Sequence, residues 1–211
     1  MPSLRVLESP TSSTRVGISI PIVFSYASSL TDEGAALLRE HNQYISITPE
    51  SESTNGYARP VTHRIQDQAA LGIDTHFTFS SDILTQARLW LQSVRRLLTS
   101  AVLETRRVAV NSPQSVAQAF LLATRHRGLA LRRDDLGVIS VGAKADIVVW
   151  NGNSPALLGW NDLVAAVLLH AIVGDIEYVI VNGKWKKKDF KLAVEDYPEI
   201  VERFLASVKR I

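Results

Sequence analysis

From Ile20 the chain alternates short extended apolar runs with segments whose apolar residues recur at three- and four-residue spacing. This alternation predicts parallel strands joined by helices. Strands are expected at Ile20 to Ser25, Tyr44 to Thr48 and Thr75 to Ser80. Helices are expected at Thr31 to His41, near Val61 to Leu71, and from Ile83 to about Ala101. Thr31 can cap the first helix, with Asp32 and Glu33 in its first turn. These elements make three β/α units, and a further helix follows over Pro113 to Arg127, with Gly128 as its stop.

Beyond Leu136 the pattern changes to short β-branched runs. Val138 to Val141 and Ile147 to Trp150 read as strands around the turn Gly142-Ala143-Lys144-Ala145-Asp146. Tyr178 to Val181 is a strand entering Asn182-Gly183, a pair suited to the positive φ angles of a type I′ hairpin. A Leu/Ala/Val-rich stretch from Asp162 to Ile172 interrupts this layer, and a helix over Tyr197 to Ile211 follows it.

Composition narrows the function classes. With 211 residues, 46% hydrophobic and 21% charged, the chain can bury a core. Lys and Arg number 23 against 21 Asp and Glu, a difference of two charges that argues against a nucleic-acid-binding surface. No cysteine is present, so any metal site rests on histidines and carboxylates. Val16 to Phe24 is apolar but contains Pro21 and is far short of the ~20 residues that span a bilayer. It also lacks a small-residue cleavage site, so a cytoplasmic chain without membrane contact is expected, with residues 1–19 as a poorly ordered leader. The run Lys184 to Lys191 reads as a solvated hairpin arm whose lysines protect a strand edge, with an anionic-surface site as the minor alternative.

In parallel α/β sheets, reactive groups stand at the C-terminal ends of the strands. Tyr26 follows the first strand, and Thr48, Pro49, Glu50 and Glu52 follow the second. Tyr26, Glu50 and Glu52 are therefore candidates for contacting a substrate. Asp82 follows the third expected strand, from which it could ligate a metal or take a proton from water. Position alone favours the other reading, that Asp82 is a helix N-cap. Among the histidines, His63 is the one expected to face this end. His41 and His126 fall at expected helix C-termini, and His170, in an apolar run, reads as a core residue.

The segments VFSYAS from Val23, LTDEGAALLREHNQYISITPESE from Leu30 and LGIDTHFTFSSD from Leu71 resemble the amidohydrolase superfamily, which includes cytosine deaminase and triazine chlorohydrolases. LGVISVGAKADIVVW and IEYVIVNGK resemble its closing signature, so the likeness runs from about Ile20 to Leu192. It implies a metal-dependent hydrolase or deaminase of C–N bonds in a small molecule, built as a (β/α)8 barrel with a small β-sandwich. This chain would supply the last three β/α units over residues 20–127 and part of the sandwich over 128–194, with 195–211 as a terminal helix.

The resemblance assigns the eighth-strand aspartate to Asp82 and sets Tyr26 where the sixth strand carries a histidine. Gly56-Tyr57-Ala58-Arg59-Pro60 stands where relatives carry a loop with two histidines, and the first five strands have no counterpart. A catalytic zinc needs about three protein ligands and an open position. Asp82, with His63 as the minor candidate, falls short, so the divalent metal implied by the family is expected to bind weakly or not at all. Two readings stand. One is a truncated hydrolase, inactive by itself, that would regain a site from a partner chain. The other is a non-catalytic binding or vestigial module. An open barrel edge favours self-association or pairing with another chain in either case.

Overall fold

The computed structural model describes residues 20–26, 29–57 and 61–210. The leader expected over 1–19 lies outside the described residues, as do Ala58, Arg59 and Pro60. The chain divides into two compact units, with the boundary between Ser140 and Val141. Among the described residues no helix is long and apolar enough to cross a membrane.

The first unit is built on a parallel sheet in which β1 (Val23–Ser25), β2 (Tyr44–Ile47) and β3 (Ala69–Leu71) lie in chain order. Register runs Val23 to Tyr44 and Ile45 to Ala69. Ile45, Ile47, Ala69 and Leu71 are buried on one face of the sheet and Tyr44 and Ala70 on the other, which is the mark of strands covered on both faces. Gln43 extends the pairing of β1, because its Oε1 accepts from Ile22 N at 2.6 Å and its Nε2 donates to the Ile20 carbonyl at 3.3 Å.

Helix α1 (Asp32–Glu40) starts as expected, with Thr31 Oγ1 accepting from Gly34 N at 3.1 Å. The short α2 (Pro49–Thr54) follows β2 directly. The long α3 (Ile83–Glu104) buries Leu84, Ala87, Trp90, Leu91 and Val94 along one stripe. Trp90 Nε1 also donates to Thr62 Oγ1 at 2.9 Å, tying α3 to the turn before β3. Helix α4 (Val116–Ala123) opens with a capping box between Ser115 and Gln118. Helix α5 (Arg125–Ala130) contains Gly128 rather than ending at it. His126 accordingly lies in the first turn of α5, not at a helix C-terminus, and its Nδ1 sits 3.1 Å from the Ala69 carbonyl.

Other expected elements are corrected. Val61 to Leu71 is not an α-helix but two 3-10 turns, Val61–Arg64 and Gln66–Gln68, running into β3. Ala69-Ala70-Leu71 has helix-favouring side chains, yet burial between sheet neighbours outweighs that preference. Thr75 to Ser80, which alternates like a strand, forms turns instead, with Phe77 88% exposed. Its alternation has no sheet to face.

The second unit is an antiparallel meander of β4 (Ile147–Trp150), β5 (Ile176–Val181), β6 (Lys184–Lys188) and β7 (Lys191–Leu192). Val138 to Val141 is not a strand, and Ile139 and Val141 lie in solvent. Asn182 and Gly183 have φ of 49° and 77°, as a type I′ turn requires. The two halves of the closing signature meet here. Asp146 Oδ1 accepts from Asn182 N at 2.6 Å, and Gly183 N donates to the Ala145 carbonyl at 3.1 Å.

Helix α6 (Leu163–Leu169) is capped by Asp162 and ends at His170. His170 is exposed rather than a core residue, and stacks on Trp160 at 4.4 Å. A terminal helix, α7 (Tyr197–Val208), completes the unit.

Gly128 marks the tightest approach in the first unit, since a Cβ there would lie 2.6 Å from the Leu136 carbonyl oxygen. Gly128→Ala is expected to destabilise the chain by about 1 to 3 kcal/mol through overpacking, measured as a shift in the urea midpoint at unchanged slope.

Candidate active site

The parallel register sets three side chains together at the C-terminal mouth of the sheet. Tyr26 follows β1, Ser51 lies in α2 after β2, and Asp74 lies three residues beyond β3. Asp74 Oδ2 accepts from Ser51 Oγ at 2.6 Å and from the Tyr26 hydroxyl at 3.3 Å. Asn55 Nδ2 donates to Ser51 Oγ at 3.3 Å. Both Tyr26 and Asp74 sit in the left-handed region, with φ of 74° and 66°. Such a conformation costs a bulky residue free energy, and non-glycine examples gather at functional sites. Burial, and then the Asp74 charge, raise the Tyr26 phenol above its ordinary value. Tyr26 therefore acts as a hydrogen-bond donor and not as a base.

Gly72 lets the chain leave β3 close beside β2. A Cβ at this position would come within 3.0 Å of Ser46 Oγ and 3.1 Å of Thr48 Cγ2.

Asp82 does not stand at a strand end. It N-caps α3, with Oδ1 accepting from Leu84 N at 2.8 Å and Thr85 N at 3.1 Å, and Oδ2 accepting from the Thr85 hydroxyl. The displaced third strand explains the difference: with β3 at Ala69–Leu71, the carboxylate that follows the strand is Asp74. Sequence reasoning missed both Asp74 and Ser51. The legible signal was Leu71-Gly72-Ile73-Asp74, a buried residue and a glycine just before an acid.

The other candidates hold the mouth in shape. Glu50 Oε2 accepts from Ser80 N at 2.9 Å, Ser80 Oγ at 2.6 Å and Gln86 Nε2 at 2.9 Å, which pins the loop before α3. The Ser80 hydroxyl is the main cause that lowers the Glu50 carboxyl below its ordinary value. Glu52 is buried, and its Oε1 accepts from Thr48 N at 2.8 Å. Burial pushes its carboxyl up to about 7 despite that bond. His63 lies in the 3-10 turn Val61–Arg64, and its carbonyl accepts from Gln66 Nε2 at 2.8 Å.

Among the described residues, no group of three or more His, Asp or Glu side chains could hold a metal ion. Asp82 and His63 thus belong to no such ligand set. Around Asp74 stand the Tyr26 and Ser51 hydroxyls and the Asn55 amide, which are poor neutral-pH ligands for zinc, and the neighbouring Glu52 carboxyl is buried and spent on Thr48 N. The described residues alone do not fit a catalytic zinc.

Comparison with known proteins gives this mouth its context. The chain belongs to the amidohydrolase family, whose model matches residues 21–186. A 5-methylthioadenosine/S-adenosylhomocysteine deaminase from Pelotomaculum thermopropionicum is 30% identical over 169 residues, covering 78% of this chain and 37% of the relative. A deaminase of the same description from Dictyoglomus turgidum is 25% identical over 187 residues, covering 86% and 42%.

Among solved structures, an adenosine deaminase from Xanthomonas campestris with bound zinc aligns with TM-score 0.74 at 19% identity, over 89% of this chain and 42% of that one. An atrazine chlorohydrolase from Arthrobacter aurescens complexed with zinc aligns with TM-score 0.73 at 18% identity, over 87% and 40%. At these identities the likeness shows the fold alone. The chain spans about two fifths of the length of each of these proteins.

The raised Glu52 carboxyl has a pH consequence. Its folded-state value of about 7 lies above the ordinary 4.5, so the folded state holds the proton more tightly than the unfolded chain. The stabilisation is fully present below pH 4.5 and is lost as pH rises towards about 7. The loss is up to about 3 kcal/mol. Glu52→Gln is expected to flatten the stability profile across this window, read from urea midpoints at a series of pH values. An unchanged slope would refute the buried neutral acid.

Proposed function

We propose that this chain is the C-terminal portion of an amidohydrolase-type hydrolase or deaminase acting on a C–N bond of a small molecule, and that its described residues alone do not turn over substrate. The observation that carries this reading is the meeting of Tyr26, Ser51 and Asp74 at one end of three parallel strands. This is the end at which barrel enzymes of this architecture carry their chemistry. The family match and the deaminase relatives support the reaction class. The zinc-bound neighbours support a divalent metal as the family's usual agent.

Within this reading the chain's own residues do limited work. Asp74 presents a carboxylate fixed in direction by two hydroxyl donors, suited to accepting a hydrogen bond from an amino N–H of a bound molecule. Ser51 and Tyr26 hold that carboxylate, Glu50 pins the loop beside it, and Glu52 shapes the turn that carries Ser51. The small ligand set leaves a metal without enough donors, so no step is assigned to one. Three parallel strands cannot close a barrel. Because β1 pairs on one side only among the described residues, a further strand from other polypeptide is expected to complete the sheet and bring the remaining ligands.

A second reading, a non-catalytic module that pairs with another chain, is favoured by that same edge together with the hydroxyl-filled carboxylate. One experiment tests the proposal. The purified chain is incubated with zinc, its bound metal is measured by elemental analysis, and turnover is followed on a panel of cyclic amidines and amides. The expected outcome is substoichiometric zinc and no turnover. Stoichiometric zinc with deamination by the chain alone would overturn the proposal.

A further inference from the structure

Helix α7 (Tyr197–Val208) has no buried residue, although its pattern is strongly amphipathic. Tyr197, Ile200, Phe204, Leu205 and Val208 recur at helical spacing on one side and are all exposed, Phe204 by 64%. A helix with such a stripe normally lays it against another surface.

The charges along the helix are segregated. Glu195 and the N-cap residue Asp196 precede it and Glu199 and Glu202 lie in its first half, with no basic residue among them, whereas Arg203 lies in its second half and Lys209 and Arg210 follow it, with no acidic one. The helix macrodipole favours this polarity. It does not account for the apolar stripe beside it. None of the ion pairs among the described residues uses these side chains.

Helical spacing puts Glu199 and Arg203 on one flank of the stripe. A second α7 turned end for end sets the acidic half of each copy along the basic half of the other. Two-fold rotation makes such a surface self-complementary, and it also opposes the two macrodipoles. A different partner would have to carry the reverse charge gradient, which this helix already supplies.

We propose that α7 is a homodimerisation surface, on which a second copy of this chain packs antiparallel. The apolar stripes form the seam and Glu199 of one copy faces Arg203 of the other. A seam of one short helix is smaller than a standard interface of about 1,600 Å², so the dimer is concentration-dependent.

Sedimentation equilibrium of the full chain over a roughly hundredfold concentration range is expected to show a monomer–dimer equilibrium in the range of weak complexes. Phe204→Glu should shift it to monomer, and circular dichroism should report an unchanged fold because Phe204 is exposed. Arg203→Glu should weaken dimerisation by roughly tenfold, and Glu199→Arg combined with Arg203→Glu should restore it, because the swapped charges face each other again. A monomer at every concentration would overturn the proposal, as would a dimer indifferent to Phe204→Glu. A dimer lost with Phe204→Glu but blind to both charge changes would overturn the antiparallel arrangement.

Discussion

The pairing of β2 with β3, in which Ile45, Ser46 and Ile47 register with Ala69, Ala70 and Leu71, decides where everything chemical in the first unit falls. Ile45, Ile47, Ala69 and Leu71 are buried on one face and Tyr44 and Ala70 on the other, so a shift of the third strand along the sheet would disturb the packing of both faces and carry every following residue away from the mouth. With the register fixed, Gly72 passes closely over β2, and the chain turns through the left-handed Asp74. The carboxylate then lands within reach of Ser51 from the neighbouring strand-to-helix turn and of Tyr26 from the strand beyond. The site is a product of strand pairing more than of any contiguous motif.

Around this pivot the polar network divides its labour. Glu50 and Gln86 exchange hydrogen bonds and take in Ser80, which holds the long loop from Asp74 to Asp82 against α3. Asp82 then starts the helix that covers the sheet. Glu52 turns inward to satisfy Thr48 N, at the cost of burying a carboxyl. Glu50 and Glu52 follow a strand as catalytic groups do, yet their oxygens are spent on architecture. The second unit repeats the device in smaller form, where Asp146 fastens the Gly-Ala-Lys-Ala turn to the Asn-Gly hairpin and so explains why the two sequence segments occur together.

Much of this was legible in the sequence where local signals and tertiary burial agree. Thr31 before α1, the β-branched runs of β2, β4 and β5, and Asn182-Gly183 all carry local preferences that the fold uses. The third strand was not legible. Ala69-Ala70-Leu71 prefers a helix, and Thr75 to Ser80 alternates without a partner, so propensity and periodicity both pointed away from the true strand. The error carried the candidate carboxylate from Asp74 to Asp82, although the cap reading of Asp82 was available from its position. Tyr26 was identified at the correct strand end. Its partner Ser51 was not, because a serine in a short helix has no sequence signature until the neighbouring strand delivers an acid to it.

Asp74 and Ser51 form one interacting unit at the mouth of the sheet. A double-mutant cycle tests it, comparing the stabilities of Ser51→Ala, Asp74→Asn and the double variant by urea unfolding. A hydrogen bond to a charged group predicts a coupling of about 1.5 to 3 kcal/mol between the two positions. Additivity within about 0.5 kcal/mol would place Asp74 away from Ser51 and contradict the strand register on which the site depends.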